Sequence, residues 1–210
     1  MLIAFCGLDG AGKTTQANSV VKMFESRGLK CGYRHFIKGT LSYYLTHNIV
    51  GKVSMGFRSS LEQKLRKEKK GLDSVLLSWV KRLLVLVDVV YFNLRYGNRK
   101  GDVLNNIVCD RYYYDELVQL NYLGFKLGVM EKFIKRIMIE PDRIFYIDIL
   151  PETAFTRKSE GFCEEYFRIK SKRYKDYLPK STVCIPGDGT EGEIKDIILS
   201  EMKKFLPGEH

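Results

Sequence analysis

The sequence predicts an α/β protein in three layers, a parallel five-stranded sheet sandwiched between helices. Three observations predict it. Apolar runs of strand length alternate with longer runs at helical spacing along the whole chain. Glycines and prolines punctuate the borders, as at Gly28, Gly97, Pro141 and Pro151. A glycine-rich loop joins the first strand to the first helix. Strands separated by helices run parallel, with right-handed crossovers and both faces covered.

The elements follow in order. Residues 2–6 form a short buried strand. Residues 14–27 follow as a helix with Ala17, Val20, Val21 and Phe24 on one face, and Gly28 caps it. Residues 31–36 are the second strand, and 41–50 and 61–69 read as short helices. A long helix covers 72–96 and stops at Gly97. The third strand covers 106–109, with Asp110 at its C-terminal end. Helices over 115–123 and 129–139 lead to a strand at 144–149, set between Pro141 and Pro151. Residues 151–177 are highly charged and mostly helical in pattern, and a strand at 182–185 and a helix at 191–205 end the chain. Neither repeats nor an interdomain linker interrupt it, so residues 1–210 read as a single domain. Ligands of such sheets bind beyond the carboxyl ends of the strands. Gly7, Arg34, Asp110 and Pro151 all follow strand ends and are expected to converge there.

Composition narrows the class. With 45% hydrophobic and 29% charged residues, the chain reads as a soluble globular protein. Five cysteines form no CxxC pair and read as free thiols of a reducing compartment. The apolar N-terminus is too short for a signal-peptide core, and Lys81, Arg82 and Asp88 break the most apolar stretch, 75–92. A cytoplasmic protein without a membrane partner is expected. The net charge of +10 fits polyanionic small substrates or nucleic acid. The sharpest basic run, residues 64–70, reads as a solvated face, and no nucleic-acid-binding signature accompanies it.

Residues Gly7, Leu8, Asp9, Gly10, Ala11, Gly12, Lys13 and Thr14 match G-x-x-x-x-G-K-[ST] in full, between a strand and a helix. Glycines let the backbone wrap closely around phosphates, while amides and the helix N-terminus point at the anion. Lys13 should reach the β- and γ-phosphates of a nucleoside triphosphate, and Thr14 should bind Mg²⁺. Neither a guanine-binding N-K-x-D motif nor a transporter LSGGQ-like signature is present, and the chain is short for a motor or helicase. The small-kinase class remains. Asp110 and Arg111 stand side by side at a strand end. Asp110 can support Mg²⁺, and Arg111 can grip a substrate phosphate in bidentate fashion. A purely structural Asp–Arg pair is the alternative.

The chain resembles the thymidylate kinase family over nearly its whole length. Three stretches carry the resemblance: residues 7–16, from Gly7 through Thr15 and Gln16; the cluster Cys109-Asp110-Arg111-Tyr112; and residues 145–154, from Phe145 through Pro151 to Ala154. The resemblance implies a P-loop kinase fold with a helical lid over roughly 152–177, ATP and Mg²⁺ as donor and metal, and a nucleoside monophosphate as acceptor. It implies that Asp9 works near the acceptor's sugar hydroxyl and phosphate, that Arg34 and Arg111 bind that phosphate, and that Tyr112 lies at the acceptor. The ATP-binding set it implies runs from Gly7 to Thr15. Gly10 stands where some members carry a catalytic arginine, and members with glycine there carry basic catalytic residues in the lid. Arg157 and Lys158 are the candidates, with Arg168 and Arg173 in reserve. The resemblance also implies a homodimer, for which the long helix is a natural contact.

The lid charge suits phosphoryl transfer, which is mainly positioning and charge stabilisation. Between Arg157 and Lys175 seven basic residues face three acidic ones. The sequence departs from the family at the acceptor. Tyr113-Tyr114-Asp115-Glu116 replaces small hydroxyl residues, Val89 follows the helix acid Asp88, and Arg34-His35-Phe36-Ile37-Lys38-Gly39 replaces an Arg-Glu-Pro-Gly-like loop. Phe92, Tyr112, Tyr113 and Tyr114 are available to stack on a base or to fill the core. Two rivals stay open at this point: a deoxynucleoside or other small-molecule kinase, and a nucleotide-binding regulatory or nucleic-acid-associated protein without turnover.

Overall fold

The computed structural model describes residues 1–36, 72–97, 106–122, 128–158 and 162–206, with the backbone alone at 72–78 and 81. The expected helices at 41–50 and 61–69, and the basic run at 64–70, lie outside these residues.

Five strands form one parallel sheet: β1 (Leu2–Gly7), β2 (Cys31–His35), β3 (Asn106–Asp110), β4 (Arg143–Asp148) and β5 (Val183–Pro186). The order is β2-β3-β1-β4-β5, so β1 is central. Leu2 to Cys6 are at most 1% exposed. A strand covered on both faces has no use for polar alternation, which is why its sequence is continuously apolar. Each buried Leu, Ile or Phe contributes roughly 1.5–3 kcal/mol by leaving water.

Seven helices complete the described fold: α1 (Lys13–Ser26), α2 (Leu72–Tyr96), α3 (Tyr113–Tyr122), α4 (Val129–Ile137), α5 (Pro151–Arg157), α6 (Glu164–Tyr177) and α7 (Glu191–Lys203). α1 packs on β1, β2 and β3 and on α7; α3 packs on β1 and α6, α5 on α6, and α2 on α4. α1 ends as expected at Gly28, which has φ +70° and bonds back to Glu25 O while Leu29 bonds to Phe24 O. No helix among the described residues is long and apolar enough to cross a membrane.

Several helix limits differ from the sequence reading by one or two residues, and two of the differences have visible causes. α3 starts two residues earlier, at Tyr113, because Asp115 accepts from the Tyr112 amide at 3.0 Å and so caps the first turn. α4 stops at Ile137, where Met138 turns to an extended conformation. Tertiary partners explain that stop: the Asn93 amide binds Ile137 O and accepts from Ile139 N, and the Tyr112 hydroxyl donates to Ile139 O.

Register places the site. Phe5 pairs with Asp110, and Gly7 pairs with Ile147, so β3 ends two residues short of β1 and β4 one residue past it, all at one edge of the sheet. The loop leaving β1 therefore opens directly beside Asp110 and Arg111.

Candidate active site

The loop between β1 and α1 is shaped by its glycines. At Gly7, φ is +147° and a Cβ would stand 2.7 Å from Ile147 O. Only glycine lets β1 leave the sheet so close to β4. Gly12 caps α1 at φ +83° with no side chain bonded to the first turn, and no acidic residue occupies that turn. The amides at the start of α1 thus meet no competing side-chain anion, which suits a phosphate. The Lys13 ammonium is only 5% exposed and donates to Gly7 O (2.8 Å) and Leu8 O (2.6 Å). Burial, and then the neighbouring Arg111 charge, push it down to about 8. A phosphate beside it would supply the missing counter-charge.

Thr14 and Asp110 come together as the metal reading requires. The Thr14 hydroxyl donates to Asp110 Oδ2 at 2.5 Å, and Tyr33 OH donates to the same oxygen at 2.8 Å. Asp110 Oδ1 is buried without a hydrogen-bond partner. A buried carboxylate oxygen with nothing to accept from is costly, and a hard cation satisfies it. The oxygen donors of Thr14 and Asp110 therefore fit Mg²⁺. Among the described residues no group of three His, Cys, Asp or Glu side chains gathers at one point.

Asp9 and Arg111 form the second half of the site. Arg111 Nη2 is bonded to Asp9 Oδ1, and Arg111 Nη1 lies 3.8 Å from Asp115 Oδ1. Arg111 does not pair with its neighbour Asp110, so the structural Asp–Arg pair held as the alternative is not formed. The Arg111 backbone sits at φ +68°, unusual for a side chain with a Cβ. Its amide still donates to Phe5 O at 3.0 Å, so the turn leaves β3 in contact with β1. Strain of about 1–3 kcal/mol at such a residue persists where the surroundings hold it. Burial alone would raise the Asp9 carboxyl, but the Lys170, Arg111 and Lys13 charges hold it well below the usual carboxylate range. Burial alone would lower Arg111, and Asp9 and Asp115 more than offset that, so it stays charged.

The other expected residues are placed as follows. Arg157 and Lys158 are exposed at the end of α5. A Cβ on Gly10, at φ +87°, would stand 3.3 Å from Ala154 O, 3.4 Å from Arg157 Cβ and 3.6 Å from Lys158 Cβ. Gly10 is thus the point where α5 reaches the phosphate loop. Thr15 is exposed beside Thr14, and Gln16 is buried with its amide on Glu191 O. Arg168 ties α6 to α5 through Glu164 and Glu152, and Arg173 pairs with Asp176. Arg34 does not join the Asp9–Arg111 pair: its guanidinium bonds Tyr96 OH at 2.9 Å and Tyr33 O at 3.1 Å. Tyr112 is 0% exposed, its ring set against Phe36, Phe92 and Tyr113. Phe92, Tyr113 and Tyr114 are buried in the same core, so none of these four rings presents a free face to a base.

Three residues enter the site that sequence reasoning had not placed there. Tyr166, Lys170 and Tyr174 lie four apart on α6, and all face the loop. Tyr166 OH donates to Asp9 Oδ2 at 2.6 Å, and Lys170 Nζ lies 3.6 Å from that oxygen. Tyr174 OH lies 2.9 Å from Gly7 O and 2.8 Å from Asp115 Oδ1 and shares one proton between them. Asp115, in the stretch expected at the acceptor, joins them through Tyr174. The signal was present as a periodicity: one lysine centred in an aromatic stripe at i, i+4, i+8 marks a buried charge that needs a partner.

No protein-family model matches the chain. It is 24% identical to a probable thymidylate kinase of Archaeoglobus fulgidus over 222 residues, covering 98% of this chain and 96% of that protein. It is 29% identical to a probable thymidylate kinase of Methanocaldococcus jannaschii over 186 residues, 86% of this chain and 77% of that one. A thymidylate kinase of Leptospira interrogans is 24% identical over 221 residues, with 97% and 96% covered. Among solved structures, deoxyadenosine kinase from M. mycoides with dATP bound superposes with a TM-score of 0.60 at 17% identity, covering 97% of this chain and 99% of that one. The same enzyme with the products dCMP and a flexible dCDP also gives 0.60, at 15% identity and with 97% and 100% covered. The chain has the fold of a P-loop kinase and is a phosphotransferase, similar in sequence to thymidylate kinases over most of its length.

Proposed function

We propose that the chain is a nucleoside monophosphate kinase that transfers the γ-phosphate of ATP to dTMP or a related deoxynucleoside monophosphate. One observation carries this reading. The phosphate loop bears, within four residues of Gly12 and Lys13, a buried Asp9 that is bonded to Arg111. Donor and acceptor functions thus share one short turn, with an anion-binding arginine on the acceptor side. The likeness in sequence to thymidylate kinases supports the same acceptor class.

The roles follow from the chemistry. The loop amides from Gly7 to Thr15 cradle the β- and γ-phosphates, and Lys13 neutralises them. Thr14 and Asp110 would hold Mg²⁺, which would supply charge neutralisation at the phosphates. An acceptor phosphate is already ionised near neutral pH and needs no strong base. Arg111 binds it, and Asp9 orients the acceptor sugar. Arg157 and Lys158, beside Gly10, provide cationic charge where the phosphoryl group moves. The residues from 152 to 177 act as the lid, and closure of the α5 end excludes water that would otherwise accept the phosphoryl group.

The test is an acceptor panel: purified protein, ATP and Mg²⁺, with nucleosides and nucleoside monophosphates supplied one at a time and ADP release as the readout. Turnover with dTMP or another deoxynucleoside monophosphate is the expected result. Turnover with unphosphorylated nucleosides alone would overturn it in favour of a nucleoside kinase.

The active form is a homodimer joined through α2. Val80, Leu83, Val87, Val90 and Leu94 recur at alternating steps of three and four along this helix, and all are exposed, Leu83 at 58% and Leu94 at 80%. That spacing is the seam of paired helices. Leu83→Glu places a charge in the seam and is expected to convert a dimer into a monomer in light scattering after size exclusion. A variant that elutes and scatters like the parent would remove α2 as the contact.

A further inference from the structure

Lys170 is 3% exposed, on the face of α6 that meets the phosphate loop. Its ammonium donates to Tyr166 OH at 2.8 Å and to Gln119 Oε1 at 3.1 Å, and it stands 3.6 Å from Asp9 Oδ2. The direction of this chain of bonds is forced. An ammonium only donates and a carboxylate only accepts, so the Tyr166 hydroxyl, receiving from Lys170, passes its own proton to Asp9 Oδ2. Asp9 is thereby divided: Oδ2 belongs to α6, and Oδ1 belongs to Arg111.

Charge balance shows what this division accomplishes. Asp9, Asp115 and Asp110 are buried at the loop together with the cations Lys13 and Lys170, and the partly buried Arg111 joins them. Arg111 is committed to two of those carboxylates. To grip an acceptor phosphate it has to loosen its hold on Asp9, and a buried carboxylate left without a cation is strongly disfavoured. Lys170 remains beside Asp9 when Arg111 turns away. Asp115 is likewise kept satisfied by the Tyr112 amide and Tyr174.

We infer that Lys170 is a positioning residue for the acceptor phosphate: as the second counter-ion of Asp9, it frees Arg111 to engage that phosphate. The inference rests on the monophosphate-kinase function proposed above. Lys170 touches neither nucleotide in this scheme and acts through Asp9 and Arg111.

The experiment compares Lys170→Met, Lys170→Gln and Tyr166→Phe with the parent, measuring KM for dTMP and for ATP separately. Both lysine variants lack the charge, and glutamine keeps a donor for Tyr166. Expected is a rise in acceptor KM of about tenfold to a hundredfold in both, the range for losing one charge-assisted contact, with ATP KM held within about twofold. Tyr166→Phe retains the ammonium and should raise acceptor KM by about tenfold at most. In the Arg111→Ala background, Lys170→Met should add little to acceptor KM, since its effect passes through Arg111. Unchanged acceptor KM, a parallel rise for both substrates, or an undiminished effect in the Arg111→Ala background would each overturn the role. Should Lys170→Met fail to fold, Lys170→Gln carries the same comparison, alone and in the Arg111→Ala background. A parent enzyme that uses only unphosphorylated nucleosides overturns the function itself. A parent active on monophosphates with silent Lys170 variants overturns the inference alone.

Discussion

Lys13→Ala abolishes turnover and leaves the chain folded. The loss in kcat is expected to reach at least ~10²–10³-fold, the scale for removing one preorganised charge-stabilising donor. The structure says why the fold should survive. Lys13 donates to the carbonyls of Gly7 and Leu8, and Tyr174 OH also lies on Gly7 O, so the loop keeps a second support. The lysine is moreover a burdened cation, pushed down to about 8 by burial and by the Arg111 charge. Alanine removes that burden along with the function. The measurement is ADP release at saturating ATP and acceptor, paired with circular dichroism and a urea midpoint. Undiminished turnover would deny the loop its place at the transferring phosphates, and with it the central claim.

Arg111→Ala should separate the two substrates. KM for the acceptor is expected to rise by about tenfold to a hundredfold, while KM for ATP changes by no more than about twofold. Asp9 and Asp115 each keep partners from α6 in the variant, so the pocket should hold its shape. Alanine also carries a Cβ and keeps the left-handed backbone at φ +68° under the same strain. Any change therefore reports the guanidinium and not the turn. Glycine at the same position relieves that strain and should give the same acceptor defect with a higher urea midpoint than the alanine variant. An equal loss for ATP and acceptor would make Arg111 a structural clamp between Asp9 and Asp115.

Much of this site is legible in the sequence, for identifiable reasons. The residues from Gly7 to Thr14 are contiguous, so the strand, the loop and the helix start of the proposed phosphate site are written side by side. Asp110 and Arg111 are legible too, because parallel sheets bring strand ends to one edge. Arg34 follows the same rule and yet turns to Tyr96. A strand-end position fixes where a Cα lies, not which neighbour a long side chain finds. Tyr112 shows the same limit: its neighbours in sequence are site residues, but its ring completes the core with Phe36 and Phe92.

The division between local and distant information is clearest in α6. Its amphipathic spacing and its charge are local properties, and so are the alternation of strands and helices, the parallel sheet and the phosphate loop. Periodicity and glycine placement act over a few residues, so sequence pattern alone was sufficient for them. That Tyr166, Lys170 and Tyr174 meet Asp9 and Gly7, more than 150 residues earlier in the chain, depended on how α6 and α3 pack together and onto β1. The same packing withheld Arg111 from its neighbour Asp110 and gave it to Asp9 and Asp115. Buried charges take whichever counter-ion the fold brings within a few ångströms, and only tertiary contact decides which one that is.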